Sequence, residues 1–250
     1  MVSDKFCTIP AGNVEYEESD ELGGLIRRWW DPEGEFRIIH RINRFRCRYI
    51  ERCCGGLIGK SGLDLRCGGG ILCEAMAEKG ARMTGIDEDR SAISVAHRHA
   101  KDQGLDIAYH VATVESATDW CPVFFNLVTC QEFVERLPDP ESVIRFGARL
   151  LKPGGHLIVT AMNRTFRGQL PGNAAASRIS RILSARKHGR YRAISHRTVA
   201  GWGRQAGLEV ENISSMRRGA FGRFHGIHRS LAEIFMMHLI KPAIGQGHHG

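Results

Sequence analysis

The sequence predicts a doubly wound α/β fold with a mostly parallel sheet, and three observations lead to this prediction. Between residues 62 and 160, short apolar runs rich in β-forming residues alternate with stretches of helix formers. This alternation is typical of a parallel sheet whose crossover helices cover both faces. The glycine cluster Gly68–Gly70 follows the first run, and Asp87 ends the second. Doubly wound folds bind ligands at such positions, beyond the carboxyl ends of the strands.

The predicted elements follow one another in a regular order. Strands are predicted at residues 62–66, 82–87, 107–111, 126–130 and 156–160, with helices at 71–79, 91–102 and 141–151 between them. Gly154 and Gly155 are expected to end the last of these helices. Helices are also expected within residues 25–49, before the sheet. After the sheet, residues 195–207 predict one further helix, followed by one or two strands.

One domain is predicted for residues 23–250, with a flexible N-terminus at 1–22 and a basic, lid-like insertion at about 164–194. The chain has 250 residues, of which 42% are hydrophobic, and this is enough to bury a sizeable core. No apolar run approaches the roughly 18 residues of a membrane-spanning helix, and no signal-peptide pattern is visible. We therefore expect a cytoplasmic protein whose eight cysteines are free thiols.

The charge is unevenly distributed along the chain. Residues 163–229 hold 14 lysines and arginines against Glu209 and Glu211, a net charge of +12, which leaves −4 for the remainder. Such a region is typical of a surface that meets nucleic-acid phosphates or anionic lipid, although a solvated basic face without a partner is the alternative. Within it, residues 177–188 predict a basic amphipathic helix that lies either on an anionic membrane or over the binding site as a lid.

The segment Asp64-Leu-Arg-Cys-Gly-Gly-Gly70 ends the first strand and opens a helix, whose N-terminus presents free N–H groups. Its glycines allow a ligand to approach the backbone closely. Asp87 stands where doubly wound folds place a carboxylate on ribose hydroxyls. Together these features predict an adenosine-containing cofactor. NAD is the weaker choice, because the Gly-x-Gly-x-x-Gly pattern of dinucleotide sites is not met.

The glycine segment resembles the first motif of the class I S-adenosylmethionine-dependent methyltransferases, Asp/Glu-x-Gly-x-Gly-x-Gly, and Leu150-Leu-Lys-Pro-Gly-Gly-His-Leu-Ile158 is similar to their post-core segment. More narrowly, residues from about Trp29 to Trp202 resemble the ubiquinone-biosynthesis O-methyltransferases, most specifically in Arg28-Trp-Trp-Asp-Pro-Glu-Gly-Glu-Phe36. The resemblance implies a Rossmann-like methyltransferase that methylates a catechol-type hydroxyl of a polyprenylated ring. With it we expect a complex of quinone-biosynthesis proteins as a partner; the basic region favours an anionic membrane surface as another, and no nucleic acid is expected.

The resemblance further implies which residues hold S-adenosylmethionine. Arg46 matches a family arginine that contacts the cofactor and is suited to pair with the methionine carboxylate, with Arg44 as a neighbouring competitor. Three further positions of the family are matched. The glycine turn corresponds to Asp64, Gly68, Gly69 and Gly70, the ribose position to Asp87, and the pocket lining after the fourth strand to Gln131.

Two departures from the family pattern fall near these residues. Arg66 replaces the first glycine of the motif, where its side chain could crowd the cofactor, turn outward or pair with the methionine carboxylate. Asn126 stands where an aspartate is usual, a change that we expect to be structural.

A third departure concerns metal and catalysis. The family's Glu-x-x-Glu-His cluster, thought to bind magnesium, is here Glu132-Phe-Val-Glu135-Arg136. The two carboxylates could hold Mg²⁺ through oxygen ligands, whereas Arg136 could neutralise them without metal, so a weakened or metal-free site is predicted. His188 corresponds to a family histidine and is the predicted base for the hydroxyl proton.

Two other functions compete with this prediction. The basic region could serve a nucleic-acid methyltransferase, but the chain has Gln131-Glu-Phe-Val134 where base-amino methyltransferases carry Asn-Pro-Pro-Tyr. A binding or scaffold protein on a methyltransferase fold is the other alternative, because a fold does not imply a function and Arg66, Arg136 and Asn126 all depart from the family pattern.

Overall fold

The computed structural model describes residues 20–34, 36–117, 125–131, 134, 137, 139–162, 194–218, 224–228 and 234–243. Two helices, α1 (Asp20–Trp30) and α2 (Arg37–Cys53), precede the sheet. The remaining elements are β1 (Ser61–Leu65), α3 (Ile71–Ala77), β2 (Arg82–Asp87), α4 (Arg90–Asp102), β3 (Ala108–Val111), α5 (Val114–Ala117), β4 (Phe125–Gln131), α6 (Pro140–Leu150), β5 (Leu151–Met162), α7 (His196–Gln205), β6 (Glu209–Arg218), β7 (Phe224–His228) and β8 (Ile234–Ile240).

The strands of the described residues form one sheet in the order β3-β2-β1-β4-β5-β8-β6-β7. Neighbours among β1 to β5 are parallel, whereas β8 is antiparallel to β5 and β6, and β7 is antiparallel to β6. The strand order reverses at β1, which lies between β2 and β4. Open α/β sheets bind ligands at the carboxyl end of such a switch point. The predicted doubly wound, mostly parallel class is confirmed.

Helices cover both faces of the sheet because both faces are apolar. On one face, α2, α3 and α4 bury a cluster that includes Ile50, Met76 and Ile93. On the other, α6 and α7 bury a cluster that includes Ile144 and Val199. Each such aliphatic side chain contributes about 1.5–3 kcal/mol on burial. This packing holds the strand ends, and the loops that follow them, in fixed positions.

The structure corrects the predicted end of the third crossover helix. α6 ends at Leu150 and β5 begins at the next residue, so Gly154 and Gly155 lie inside β5 and do not stop the helix. Pro153 accounts for the earlier end, because a proline disfavours helical backbone at the residue before it and lacks an N–H to donate. A register shift between Phe125 and Leu127 of β4 accommodates the extra residues at the start of β5.

The C-terminal part of the chain contains three strands, β6 to β8, where one or two were predicted. β8 lies between β5 and β6, and its side chains are almost all buried.

At the amino end of the sheet, Asn126 of β4 accepts hydrogen bonds from the backbone N–H and the hydroxyl of Ser61, both at 3.0 Å. Asn126 thus ties β4 to β1 at the edge remote from the switch point, which is the structural part expected for it.

Some predictions concern residues outside the described ranges. The flexible N-terminus at 1–22 and the insertion at about 164–194 fall largely on such residues, so the proposed domain limits stay predictions. In the part of the chain that the structure describes, no helix is long and apolar enough to cross a bilayer. The cysteines within the same ranges are all free thiols.

Candidate functional site

The glycine segment forms a tight turn between β1 and α3 at the switch point of the sheet. Its backbone is left-handed at Arg66, Gly68 and Gly70, with φ of 62°, 58° and 86°. The turn is fastened by hydrogen bonds from the Cys67 N–H to the Ile86 carbonyl and from the Gly70 N–H to the Cys67 carbonyl. Glycine adopts this conformation freely, whereas a side chain at such a φ costs about 1–2 kcal/mol. The conformation thus explains the glycines at positions 68 and 70.

The indole of Trp29, at the end of α1, covers this turn. A Cβ added at Gly69 would lie 2.7 Å from two of the Trp29 ring carbons, and one at Gly68 would lie 3.0 Å from another. The ring also stacks on Phe36 at a centroid distance of 4.0 Å. Glycines at 68 and 69 are therefore required by the close approach of Trp29. In the sequence the Trp-Trp pair is only a mark of resemblance, and this contact is not predicted.

The second tryptophan, Trp30, fixes α1 against the sheet domain. Its ring stacks on the ring of His99 in α4, with nearly parallel planes and ring centroids 3.6 Å apart. The His99 Nδ1 lies 2.9 Å from a carboxyl oxygen of Glu74 in α3. Burial raises the pKa of Glu74 to about 8 and lowers the pKa of His99. This chain of contacts joins α1 to α4 and α3 and positions Trp29 over the glycine turn.

Asp87 ends β2 beside the turn, and its carboxylate is buried. One oxygen accepts from the Gly68 N–H and the other from the Asp89 N–H, both at 3.0 Å. The first of these bonds fastens the glycine turn to the end of β2. A carboxylate oxygen can accept more than one hydrogen bond, as a ribose hydroxyl beside these N–H groups would require.

Arg66 extends from the turn toward the residue that follows Asp87. The Arg66 Nη1 donates to the Oε1 of Glu88 at 2.7 Å, and the two side chains form a partly exposed ion pair. The guanidinium is thus directed at the end of β2, and the three possibilities that the sequence leaves open for Arg66 toward a cofactor stay predictions. The pairing of Glu88 with Arg66 is not predicted from the sequence, because nothing in the order of residues marks Glu88 as its partner.

Asp64 of β1 and Arg46 of α2 are both buried, and the positive charge of Arg46 acts on the Asp64 carboxyl. Asp64 is buried and accepts a 2.6 Å hydrogen bond from the hydroxyl of Thr129. Burial raises the pKa of Asp64 to about 7, against the Thr129 hydrogen bond and the charge of Arg46, which lower it. Arg46 is itself buried, whereas Arg44 is exposed and lies over the Phe45 ring. Of these two arginines, Arg46 is the one that lies inside the protein.

The raised pKa of Asp64 predicts a pH-dependent stability. A carboxyl whose pKa is higher in the folded state than in the unfolded state contributes stability at low pH, and that contribution is lost as the pH rises through the folded value. We expect the free energy of unfolding of the natural protein to fall relative to Asp64→Asn between pH 4 and 7, by up to about 1.4 kcal/mol per pH unit. Urea unfolding of both proteins across this range measures it, and parallel pH profiles would contradict it.

Gln131 is the last residue of β4, and its side chain is turned toward β5. Its amide nitrogen donates to the Ile158 carbonyl at 3.4 Å, and its amide oxygen accepts from the Thr160 hydroxyl. Gln131 is half-buried at the carboxyl edge of the sheet, on the opposite side of β1 from Asp87. The two residues thus bracket the switch point.

Tyr109 of β3 packs against the glycine turn, a contact that the sequence does not predict. A Cβ added at Gly70 would lie 2.5 Å from its hydroxyl, and one at Gly85 would lie 2.7 Å from its ring. The hydroxyl is buried and makes no hydrogen bond within the described residues. Tyr109 lies within the predicted third strand, but which turn it contacts follows only from the sheet order.

The predicted metal ligands and the predicted base lie outside the described residues. This applies to Glu132, Glu135 and Arg136, and to His188. Within the described ranges, no group of three or more His, Cys, Asp or Glu side chains is placed to hold a metal ion. The described site therefore consists of the glycine turn, its acidic neighbours Asp64 and Asp87, and Arg46.

Three comparisons with known proteins bear on this site. Residues 38–213 match the family model described as a methyltransferase domain. The chain is 36% identical over 228 residues to the ubiquinone biosynthesis O-methyltransferase of Serratia proteamaculans, covering 91% of this chain and 95% of that protein. It is 34% identical over 233 residues to the protein of the same name from Aeromonas salmonicida, covering 93% and 98%.

Solved structures share the fold at low sequence identity. The magnesium protoporphyrin IX methyltransferase of Synechocystis PCC 6803, solved with bound SAH, aligns with a TM-score of 0.61 at 14% identity, covering 87% of this chain and 94% of that one. At this identity the likeness establishes the fold alone, and the fold agrees with the sheet order and the switch point described above.

Proposed function

This chain belongs to the ubiquinone biosynthesis O-methyltransferases, and on that basis we propose that it transfers the methyl group of S-adenosylmethionine to a catechol-type hydroxyl of a polyprenylated ubiquinone precursor. The observation that carries the proposal is sequence identity of 34–36% to relatives of that name across more than nine-tenths of the chain. The glycine turn at the switch point, between two buried aspartates, supports it.

The described residues fit an adenosyl ligand by the chemistry of their donors. Asp87 is proposed to accept from the ribose hydroxyls, as a carboxylate at the end of the second strand does in doubly wound folds. Arg46 is proposed to pair with the methionine carboxylate, because a guanidinium binds a carboxylate through two parallel hydrogen bonds. Gln131, at the end of β4, is proposed to line the far wall of the pocket.

When bound, S-adenosylmethionine supplies an electrophilic methyl group on a sulfonium. The protein has to hold the acceptor hydroxyl in line with that methyl group, exclude water and take up the hydroxyl proton. Positioning alone contributes a large part of the rate in such reactions, since it converts an encounter between two molecules into a step within one complex. Trp29 over the glycine turn is suited to exclude water from the cofactor side.

His188 is proposed as the base that removes the hydroxyl proton. We expect His188→Gln to lower kcat by about 10²-fold or more, the usual contribution of a positioned general base, and to remove the dependence of the rate on a group that titrates near neutral pH. His196→Gln, which changes a histidine at the start of α7, is the matched control. A pH–rate profile of each variant measures the effect. Full turnover of His188→Gln across the pH range would contradict the assignment.

Mg²⁺ remains a proposal that depends on Glu132 and Glu135. Because Arg136 replaces the histidine of the family pattern, we propose a weakened or metal-free site. Turnover retained in EDTA is expected, and strict dependence on added Mg²⁺ would contradict it.

The membrane and partner proteins are likewise proposals. The basic segment 177–188 and the +12 charge of residues 163–229 support contact with an anionic bilayer, at about 1 kcal/mol per basic residue near the lipid. The protein would then meet its polyprenylated substrate, dissolved in the membrane, at that surface. Other quinone-biosynthesis proteins would contact it there as well. Sedimentation with anionic liposomes is expected, and its absence would favour the segment acting as a lid.

The test of the proposed function is calorimetric titration of S-adenosylmethionine, followed by a methylation assay on a prenylated catechol. Micromolar binding and mass-spectrometric detection of the methyl ether are expected. Absence of binding would contradict the proposal and favour a scaffold protein on a methyltransferase fold, which the arginine at position 66 makes the strongest competing function.

A further inference from the structure

A row of arginines lies along the outer face of α2. The helix contains six arginines and one acidic residue, Glu51. Five of these arginines recur at spacings of three or four residues, which places them within about 80° of the helix circumference and along about 22 Å of its length. Four of the five are exposed and the first is half-buried. They are Arg37, Arg41, Arg44, Arg48 and Arg52, and we call them the α2 arginine row.

The opposite face of α2 is anchored inside the protein, beside the candidate site. Ile42 and Ile50 belong to the core cluster beneath α2, α3 and α4. The Asn43 Nδ2 donates to the carbonyl of Ile71 at 2.9 Å, at the start of α3 and directly after the glycine turn. The sixth arginine, Arg46, is buried on this inner face. The row is therefore fixed to the site at about one helix diameter, roughly 10–12 Å.

The row is unfavourable for α2 by itself. Like charges three or four residues apart on a helix repel one another. Arg37 lies in the first turn, which has no acidic residue, so it also faces the positive end of the helix dipole. Within the described ranges, Arg41 is the one member of the row in an ion pair, at 3.1 Å from Glu33, whereas Glu51 pairs with Lys79 of α3. Such uncompensated charge is typical of a surface that meets an external anion.

The composition of the row favours phosphates as that anion. Arginine pairs with phosphate through two parallel hydrogen bonds, and the helix contains no lysine. Readout of nucleic-acid bases combines arginine with asparagine, glutamine, serine or threonine, and the row has arginine alone. A bilayer surface presents phosphates continuously, and a polyprenylated substrate is dissolved in a bilayer. An anionic bilayer is therefore the partner that fits both the row and the reaction.

We propose that the α2 arginine row is a binding surface for an anionic bilayer, and that it holds the candidate site about one helix diameter from the lipid headgroups. The choice of a bilayer among phosphate surfaces rests on the proposed function. The segment 177–188, a separate proposed membrane contact, lies outside the described residues. The row differs from it because α2 has a defined position relative to Arg46 and the glycine turn.

The experiment is cosedimentation of the full chain with vesicles made of equal parts of phosphatidylglycerol and phosphatidylcholine. Arg48→Gln/Arg52→Gln removes two charges of the row, and glutamine is as good a helix former as arginine. A basic residue near an anionic surface strengthens binding about fivefold. We therefore expect the partition coefficient of this variant to fall about 10- to 25-fold. With vesicles of phosphatidylcholine alone, the variant and the natural protein should not differ.

Arg145→Gln/Arg149→Gln is the matched control. These arginines are also exposed and four residues apart on a helix, but they lie on α6, which covers the opposite face of the sheet. The net charge changes equally in the two double variants, so a difference between them reports the position of the charge. Binding of the α6 variant is expected to stay within about twofold of that of the natural protein.

A second measurement connects the row to the reaction. With a prenylated catechol in the anionic vesicles, Arg48→Gln/Arg52→Gln is expected to raise KM about as much as it weakens vesicle binding. With a soluble catechol that lacks the prenyl chain, its turnover should equal that of the natural protein, because neither arginine belongs to the site.

Three results would overturn the inference. Vesicle binding of Arg48→Gln/Arg52→Gln equal to that of the natural protein would show that the row does not touch lipid, and equal losses in the α2 and α6 variants would show that net charge alone matters. Binding of duplex RNA through the row, without binding of anionic vesicles, would assign the row to nucleic acid. If the double variant does not fold, Arg48→Gln and Arg52→Gln singly are each expected to lose about fivefold.

Vesicle binding requires neither S-adenosylmethionine nor a catechol, so the inference and the proposed function fail in different measurements. Absence of methyl transfer to both catechols rejects the proposed function. Absence of a difference in vesicle binding between the natural protein and the α2 variant rejects the inference.

Discussion

Alanine at position 87 is expected to weaken S-adenosylmethionine binding by at least about 100-fold. Asp87 is proposed to accept from the ribose hydroxyls, and hydrogen bonds to a charged acceptor contribute about 1.5–3 kcal/mol each. The same carboxylate also holds the Gly68 and Asp89 N–H groups at 3.0 Å. Loss of these two bonds loosens the glycine turn, and we expect a fall of about 2 kcal/mol in the free energy of unfolding.

Calorimetry and urea unfolding of Asp87→Ala measure the two effects. Asp102→Ala is the matched control, since Asp102 is a partly exposed carboxylate that pairs with Arg98 within α4. It should leave both quantities nearly unchanged, as is usual for a surface ion pair. Unchanged affinity in Asp87→Ala would show that the ribose does not bind at the end of β2, even if the protein loses stability.

Alanine at position 70 is expected to produce the largest loss of stability of any single methyl group added to this site. Gly70 has φ 86°, which costs alanine about 1–2 kcal/mol. In addition, the new Cβ would lie 2.5 Å from the Tyr109 hydroxyl and 3.0 Å from the Ala96 Cβ, an overpacking that typically costs 1–3 kcal/mol. We expect Gly70→Ala to lower the free energy of unfolding by about 3 kcal/mol or more and to reduce cofactor binding.

Two further variants separate the backbone strain from the overpacking. Gly104 also has a left-handed φ, 69°, but nothing lies within 4 Å of its added Cβ, so Gly104→Ala is expected to cost only about 1–2 kcal/mol. Tyr109→Phe removes the hydroxyl that meets the new methyl group and should restore about 1 kcal/mol to Gly70→Ala. Because that hydroxyl is buried without a hydrogen bond, Tyr109→Phe alone should not destabilise the protein. Equal losses in Gly70→Ala and Gly104→Ala would contradict the close contact with Tyr109.

Several elements of the fold follow from local patterns in the sequence. The strands and the crossover helices of the core lie close to their predicted positions, because alternating apolar runs and helical periodicity are local properties. α6 ends one residue before its predicted end, and Gly154 and Gly155 lie in β5 and do not end the helix, because Pro153 already disfavours helical backbone there. The third C-terminal strand was missed because β7 is recognised by its pairing with β6, which is not a local property.

The candidate site divides in the same way. Gly68–Gly70 and Asp87 are found from the sequence, since their positions after the first and second strands place them at one edge of a parallel sheet. The contact of Trp29 with the turn joins residues about 40 positions apart, and the contact of Tyr109 with Gly70 depends on β3 lying beside β2. Such contacts depend on the packing of α1 and on the order of the strands.

The fold class and the residue types at the glycine turn follow from residue order and spacing along the chain, and the family follows from the resemblance of the motifs. Only the tertiary structure decided that Arg66 is directed at Glu88, that Asp64 is buried with a pKa raised to about 7, and that Trp29 covers the turn. The physical reason is that side-chain direction, burial and the local electrostatic environment are set by neighbours distant in the sequence, which are brought together when the helices pack on the twisted sheet.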